Sequence, residues 1–499
     1  MMAFNLYCFI NELYVTFNLL IVLIYFILYT ISKKYNYLIS YKQMIGFSLI
    51  LLGISSLLLI NFNFNSQYLF FNLFKINDLL LNTKLYLNIM LFFILMNTFI
   101  YIKINKYNNF EQFILILAIQ VGIYFILSSN NITILYLSLE LISISIYLLI
   151  SLNKINIYAI EIGLKYFILG AISSNIILFG FSLLYGITGL TNLNDYYIYL
   201  LDLNNSDIFL HFSFILIIIG FFFKLYIAPF HLWISDIYQG TATHITYYIS
   251  IIPSISIYLT LIPFLELYNL YNSYILNIIL ISFSLFNILL GTLGALYQKK
   301  VKRLIAYSTI TYNGYFLLCL IAFINYNSIL GLYNFYLFYL FYLIILIPFF
   351  NLLLVFTKKI NLFIHNNIDN ISDFKQLYIL NSLLTFIFVI IIFNFAGIPP
   401  FFNFMNKLIL FFNLIKLNFN LSIIIFLIFI TVISCFYYLR LIKIIYFNST
   451  SKFFISNNNI MINNFITITF FFSILFYIVY YNAVNIIIYS IILNYIYGC

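Results

Sequence analysis

Three lysines stand where a charged amine is costly, and the chemistry they could do is proton transfer. Of the 22 Lys and Arg residues in the chain, all but Lys165, Lys224 and Lys407 lie in polar connections or at their edges. Those three sit within or against long apolar runs. A charged side chain at the centre of a membrane helix costs roughly 2.5–3.5 kcal/mol on insertion scales, and by default it marks an ion or proton pathway. An acid shares these surroundings, because Glu140 interrupts the long run Ile132–Ile150. An acid facing a lysine in a low-dielectric setting can exchange a proton with it, and Glu140 with Lys165 or Lys224 would form such a pair. Two plainer readings stand beside this one. Glu140 could lock helices together as a structural ion pair, and Glu161 could hold Lys165 on its own helix, four residues away.

The elements that must position these groups follow from composition. With 65% hydrophobic residues, 7% charged residues and a mean hydropathy of +1.10 over 499 residues, the chain has too much apolar surface for a soluble fold. Crossing the hydrocarbon core takes about 20 apolar residues as a helix, and about fourteen such spans centre near residues 22, 53, 95, 119, 141, 173, 220, 253, 285, 313, 342, 395, 433 and 478. Helices satisfy their own backbone, and the alternating pattern of a membrane β-barrel is absent, so the expectation is an all-α polytopic membrane protein. One integral domain, 1–499, divides into N-terminal spans (1–108), a first five-helix unit (109–267), a second (268–447) and a C-terminal span (448–499). Spans seven and twelve are each interrupted by proline, at Ala228-Pro229 and at Gly397-Ile398-Pro399-Pro400. Proline removes a helix hydrogen bond, and a break at membrane depth is tolerated inside protein or along a wet cavity. The breaks are five spans apart, an odd separation that reverses orientation and predicts an inverted repeat of spans 4–8 and 9–13. Each break has its lysine: Lys224 before Pro229, Lys407 after Pro399.

The net charge of +10 is distributed by topology. Sixteen Lys and Arg residues fall in odd-numbered loops, and only Lys75, Lys84 and Lys416 fall in even ones, which places the odd loops inside and both termini outside. Nucleic acid is therefore not an expected partner. His231 and His244 flank the connection after span seven and could relay protons, as imidazole titrates near physiological pH. Their spacing does not suit a shared metal, and the scattered Cys8, Cys319, Cys435 and Cys499 offer no metal or cluster spacing. No Gly-rich nucleotide loop, HExxH or GxSxG elbow is present, so no hydride, ATP or acyl chemistry is expected in this chain. The Asn runs at 363–370 and 457–464 read as tolerant loops.

Several motifs together carry a resemblance. Glu161-Ile-Gly-Leu-Lys165, Leu184-Tyr-Gly-Ile-Thr-Gly189-Leu-Thr-Asn192, Phe223-Lys224-Leu-Tyr-Ile-Ala-Pro229-Phe-His231-Leu-Trp233, Lys302-Arg303-Leu-Ile-Ala-Tyr307-Ser308, and Ala396-Gly397-Ile-Pro399-Pro400 with Lys407 occur in that order. Over about residues 110–445 the chain resembles the antiporter-like membrane subunits of mitochondrial NADH:ubiquinone oxidoreductase, respiratory complex I, of the subunit 2 type. Asp236-Ile-Tyr238-Gln-Gly240 is similar to that type rather than to subunits 4 and 5 or the cation/proton antiporters. The resemblance implies proton translocation driven by quinone reduction elsewhere in the complex. Glu140, Lys165, Lys224 and Lys407 then match the glutamate and lysines of spans five, six, seven and twelve. The chain departs from the family at two positions: Ser254, after Pro253, stands where a span-eight lysine is usual, and Tyr312 stands where bacterial relatives have a span-ten histidine.

The resemblance also implies that NADH, FMN, iron–sulfur clusters and ubiquinone are handled by other subunits, with none bound here. It implies neighbouring membrane-arm and antiporter-like subunits as partners, together with lipids such as cardiolipin. Abundant Phe, Tyr, Ile, Asn and Lys, and an N-terminus without an Arg-rich transit pattern, suit an AT-rich mitochondrial genome and an inner-membrane location. Two other readings stay open. The loss of the span-eight lysine could have left a scaffold that no longer pumps, or the chain could be a cation/proton antiporter subunit without redox coupling.

Overall fold

Apolar runs of about 20 residues leave the backbone no partner but itself, and the computed structural model is built of helices. It describes residues 7–31, 41–60, 67–105, 111–152, 157–202, 207–326, 329–361, 364–367, 369–375, 377–380, 382–417, 419–447, 455–456, 488–490 and 492. In order these form α1 (Ile10–Ile31), α2 (Tyr41–Ile60), a hairpin of β1 (Gln67–Leu69) and β2 (Phe74–Ile76), α3 (Asp78–Asn105), α4 (Glu111–Ser128), α5 (Ile132–Ser151) and α6 (Ile157–Thr188). There follow α7 (Leu193–Asp202), α8 (Ile208–Lys224), α9 (Leu232–Gly240), α10 (Thr243–Tyr297), α11 (Val301–Tyr326), α12 (Ile329–Val355), β3 (Phe356–Asn361) and β4 (Ile364–Asn367). Beyond these lie α13 (Ser382–Ala396), α14 (Phe402–Lys416), α15 (Leu421–Phe447) and β5 (Ile455–Ser456).

Every expected span centre up to residue 433 falls inside one of these helices, and the centre near 478 lies outside the described residues. Spans eight and nine are joined as α10, whose helical backbone is broken at Asn272 (φ −153°, ψ 91°). The Asn-rich stretch expected to be loop is partly ordered: β4 pairs antiparallel with β3, which also pairs with β5. The run 457–464 lies outside the described residues.

The chain folds as two compact units. One is drawn from the residues up to Lys224 together with Tyr248–Tyr271. In it α8 packs closely on α6 because each helix presents glycine to the other. A Cβ at Gly220 would lie 2.3 Å from Ile177 Cγ1, and one at Gly180 would lie 2.6 Å from Ile217 Cγ1. The β1–β2 hairpin carries Leu69 and Ile76 into an apolar cluster with Cys8, Phe9, Leu59 and Leu81. The other unit is drawn from Leu225–Tyr247 and Asn272–Ile492. Its interior helices, α11 and α12, are buried nearly throughout. Around them α9 packs on α11, α14 on α12 and α15 on α13. Backbone bonds from Val301 N–H to Asp369 O and from Ile371 N–H to Lys299 O, both 2.9 Å, tie the start of α11 to residues 369–371.

Candidate functional site

Both proline-containing segments are broken, and the chain supplies side chains to the backbone groups each break exposes. The last four carbonyls of any helix lack a partner within it, so a helix that stops inside protein needs donors from elsewhere. At the first break, α8 ends on Lys224 and α9 begins at Leu232. Asn313 Nδ2 donates to Leu225 O at 2.8 Å, and Asn287 Oδ1 accepts from the Ala228 N–H at 2.5 Å. Tyr226 is held in the left-handed region (φ +48°), a conformation costing about 1–2 kcal/mol for a residue with a side chain.

At the second break, α13 stops at Ala396 and α14 resumes at Phe402. Its last three carbonyls each receive a side-chain donor. Asn403 Nδ2 reaches Asn394 O at 2.9 Å, the Tyr312 hydroxyl reaches Phe395 O at 3.1 Å, and Cys435 Sγ reaches Ala396 O at 3.1 Å. Asn403 Nδ2 also donates to the Tyr312 oxygen at 2.8 Å. Tyr312 therefore serves here as a helix cap.

The two break lysines sit at matching places. Lys224 is the last residue of α8, and Lys407 Nζ lies beside Gly397, just past the end of α13. The C-terminal end of a helix carries partial negative charge and favours a cation. Lys407 is 7% exposed, with Nζ 5.4 Å from the centre of the Tyr315 ring, whose π face adds attraction. Gly397 has φ +75°, a turn conformation that favours glycine, and a Cβ there would lie 3.2 Å from Lys407 Nζ, a tight approach to the amine. Lys224 Nζ is buried and has no hydrogen-bond partner among the described residues. Glu140, half-buried on α5, is the carboxylate whose charge acts on it. Glu140 accepts from Ser143 Oγ at 3.2 Å, and the Tyr136 side chain lies within reach of both Glu140 and Ser174. Among the described residues, neither lysine has a carboxylate within ion-pair distance.

The charge of Glu140 reaches Lys224 with no ion pair between them among the described residues. Lys165 lies on an exposed face of α6, 48% accessible, its Nζ 2.8 Å from Glu161. Ser254 is buried, its hydroxyl turned back toward Ile251 O at 3.4 Å. His231 and His244 are both buried; His231 packs edge-on to Tyr307, and its Nδ1 has no hydrogen-bond partner among the described residues. Pro229 is exposed at its turn, and Pro399 and Pro400 form the turn between α13 and α14.

Two further buried lysines carry no clear mark in the sequence. Lys84, on α3, is 1% exposed and ion-paired with Glu12 of α1. Lys302, at the start of α11, is 6% exposed. The only sequence sign of Lys302 is the Lys302-Arg303 motif, where neighbouring charges give it the look of a loop residue.

Comparison with known proteins gives a consistent picture. Residues 129–434 match the family described as NADH:quinone oxidoreductase/Mrp antiporter, TM. The chain is 32% identical over 449 residues to NADH-ubiquinone oxidoreductase chain 2 of Marchantia polymorpha, covering 88% of each. It is 31% identical over 462 residues to the chain of the same name from Arabidopsis thaliana, covering 89% of this chain and 88% of the other. Its fold is similar to that of a chain in respiratory complex I from Thermus thermophilus with bound aureothin. The TM-score is 0.73 at 19% identity, covering 94% of this chain and 98% of that one.

Proposed function

Because the chain belongs to the NADH:quinone oxidoreductase/Mrp antiporter transmembrane family, we propose that it is a proton-translocating membrane-arm subunit of respiratory complex I, of the chain 2 type. The observation that carries this is the pair of lysines at the ends of broken half-helices. Lys224 and Lys407 are held by helix ends, a distant carboxylate and an aromatic face rather than by a salt bridge. A buried lysine locked to a carboxylate keeps its proton. One held only by dipoles and a π face can surrender it when the charge nearby changes, and regain it when that charge returns.

In this reading a proton is taken up near Glu140 and Lys224 and delivered through Lys407. Conformational or charge changes in neighbouring membrane subunits bias the two lysines in turn. Lys165 is the family's span-six lysine by resemblance, and its exposed pairing with Glu161 suits a tuning role at the rim. The redox groups, NADH, FMN, iron–sulfur clusters and ubiquinone, belong to other subunits, and this chain contributes no redox chemistry. The location is the mitochondrial inner membrane, with the basic odd loops toward the matrix and the termini toward the intermembrane space. Lipids such as cardiolipin cover the apolar faces.

The buried, back-bonded hydroxyl of Ser254 favours one competing reading, a scaffold that assembles without pumping. Lys407→Ala in the assembled complex separates the two. A lower proton-to-electron ratio with normal assembly supports translocation, and an unchanged ratio supports the scaffold.

A further inference from the structure

Lys302 and its surroundings are the part of the second unit that the proposed pathway does not use. Lys302 is the second residue of α11, beside Lys299, Lys300 and Arg303 on the face that carries the basic loops, yet it is 6% exposed. Its Nζ donates to Thr241 O at 2.6 Å, and Thr241 is the residue that closes α9. The amine therefore sits at the C-terminal end of a half-helix, as Lys224 and Lys407 do. His244, 4% exposed, follows Thr241 by three residues at the start of α10, and Asp369 accepts with its backbone oxygen from the N–H of Val301, next to Lys302 in the chain, at 2.9 Å.

From this amine, polar groups run along the seam where α9 packs on α11. Arg303 pairs with Asp236 at 2.7 Å, and beyond them the Tyr307 ring meets His231, which precedes α9. The nine residues of α9 span about 13 Å at 1.5 Å per residue. Titratable or hydrogen-bonding groups thus line this seam from Lys302 to His231, which is part of the same broken segment that begins after Lys224.

We infer that Lys302 and His244 form a further proton-carrying pair, which loads the pathway at the basic face. Lys302 Nζ releases one proton to the imidazole or to water, becoming a neutral amine, and regains one from the basic-face compartment. No electron moves and no other bond changes. The pair supplies a buried, exchangeable ammonium in a chain that carries serine at position 254. The inference rests on the reading that this subunit pumps.

Arginine substitution tests it, because a guanidinium keeps the charge and can still donate to Thr241 O but does not release its proton. The assembled complex is measured in its own membrane with Lys302→Arg, with Lys407→Arg as reference and with His244→Gln. The expected result is normal assembly and a fall in proton-to-electron ratio in Lys302→Arg and His244→Gln equal to that in Lys407→Arg. A normal ratio in Lys302→Arg beside a lowered one in Lys407→Arg overturns the inlet and leaves the pumping reading standing. Normal ratios in all three overturn both. If Lys302→Arg fails to assemble, His244→Gln, which leaves the Thr241 contact in place, decides: a lowered ratio supports the inlet and a normal one overturns it.

Discussion

Lys84 and Lys407 are buried to nearly the same extent, 1% and 7% exposed, but their surroundings differ in kind. Lys84 is ion-paired with Glu12, and Nζ lies 5.7 Å from the Tyr124 ring centre. Around the pair runs a hydrogen-bonded set across α2, α3 and α4. Tyr124 donates to Asn88 Oδ1 at 2.6 Å, Gln120 Nε2 donates to the same oxygen at 3.1 Å, and Asn88 Nδ2 donates to Ser55 Oγ at 3.1 Å. The apolar cluster under the β1–β2 hairpin lies in the same N-terminal helices. Lys407 has an aromatic face, a glycine and a helix end, with no carboxylate partner among the described residues. Burial alone therefore does not mark a working lysine in a membrane. A lysine neutralised by its own carboxylate fixes helices together, whereas one stabilised only by dipoles is poised to change its charge.

The largest expected effect comes from breaking the matched pair. Lys84→Ala strands the Glu12 carboxylate in a buried site, and removing one partner of such a pair costs about 3–5 kcal/mol. The subunit should be lost from the complex on native gels. Glu12→Leu with Lys84→Met removes both charges, which is neutral or stabilising in comparable buried pairs, so assembly and proton-to-electron ratio should both return. If the double variant assembles but pumps poorly, the pair is not merely structural and the contrast with Lys407 fails.

Gly397→Ala tests the unmatched side. The substitution forces a side chain into the left-handed region at φ +75°, costing about 1–2 kcal/mol, and sets a methyl 3.2 Å from Lys407 Nζ. The expected outcome is a proton ratio between that of the unaltered complex and that of Lys407→Ala, with Lys407 still present. An unaltered ratio would mean that the position of the amine at the helix end does not matter.

What the sequence made legible was set by how local each signal is. Pro229 and Pro399–Pro400 break helices wherever they stand, so the two interruptions could be read without any tertiary knowledge. Lys224 and Lys407 were visible as charges next to those breaks. Lys302 was hidden because Lys299, Lys300 and Arg303 gave its neighbourhood the composition of a basic loop, and Lys84 was hidden by its place near a connection. Asn287, Asn313, Asn394 and Asn403, which bond to the broken backbone or to one another there, are lost in an Asn-rich composition. Lys165 went the other way. In a membrane helix apolar on every side, periodicity does not say which face meets protein, and α6 turns this lysine outward.

Tyr312→Phe sharpens the distinction between a cap and a carrier. The hydroxyl donates to Phe395 O and accepts from Asn403, so its loss should cost about 1 kcal/mol, read as earlier thermal inactivation of the complex, with the proton ratio kept. A lowered ratio at unchanged stability would move Tyr312 from the helix end into the pathway.

The smallest effect belongs to Lys165. Its bond to Glu161 is an i, i+4 pair on an exposed helix face, and such pairs contribute about 0.2–0.5 kcal/mol in isolated helices. Both side chains are about half accessible, at 48% and 52%, so neither is stranded when the other is removed. Lys165→Ala should therefore leave thermal stability within measurement error and lower the proton ratio far less than Lys407→Ala does. Glu161→Gln should behave the same way, because the lysine it releases remains accessible. A loss of pumping in Lys165→Ala as large as in Lys407→Ala would show that an exposed, carboxylate-paired lysine can do the work of a buried one held by a helix end, and the criterion that separates Lys84 from Lys407 would no longer hold.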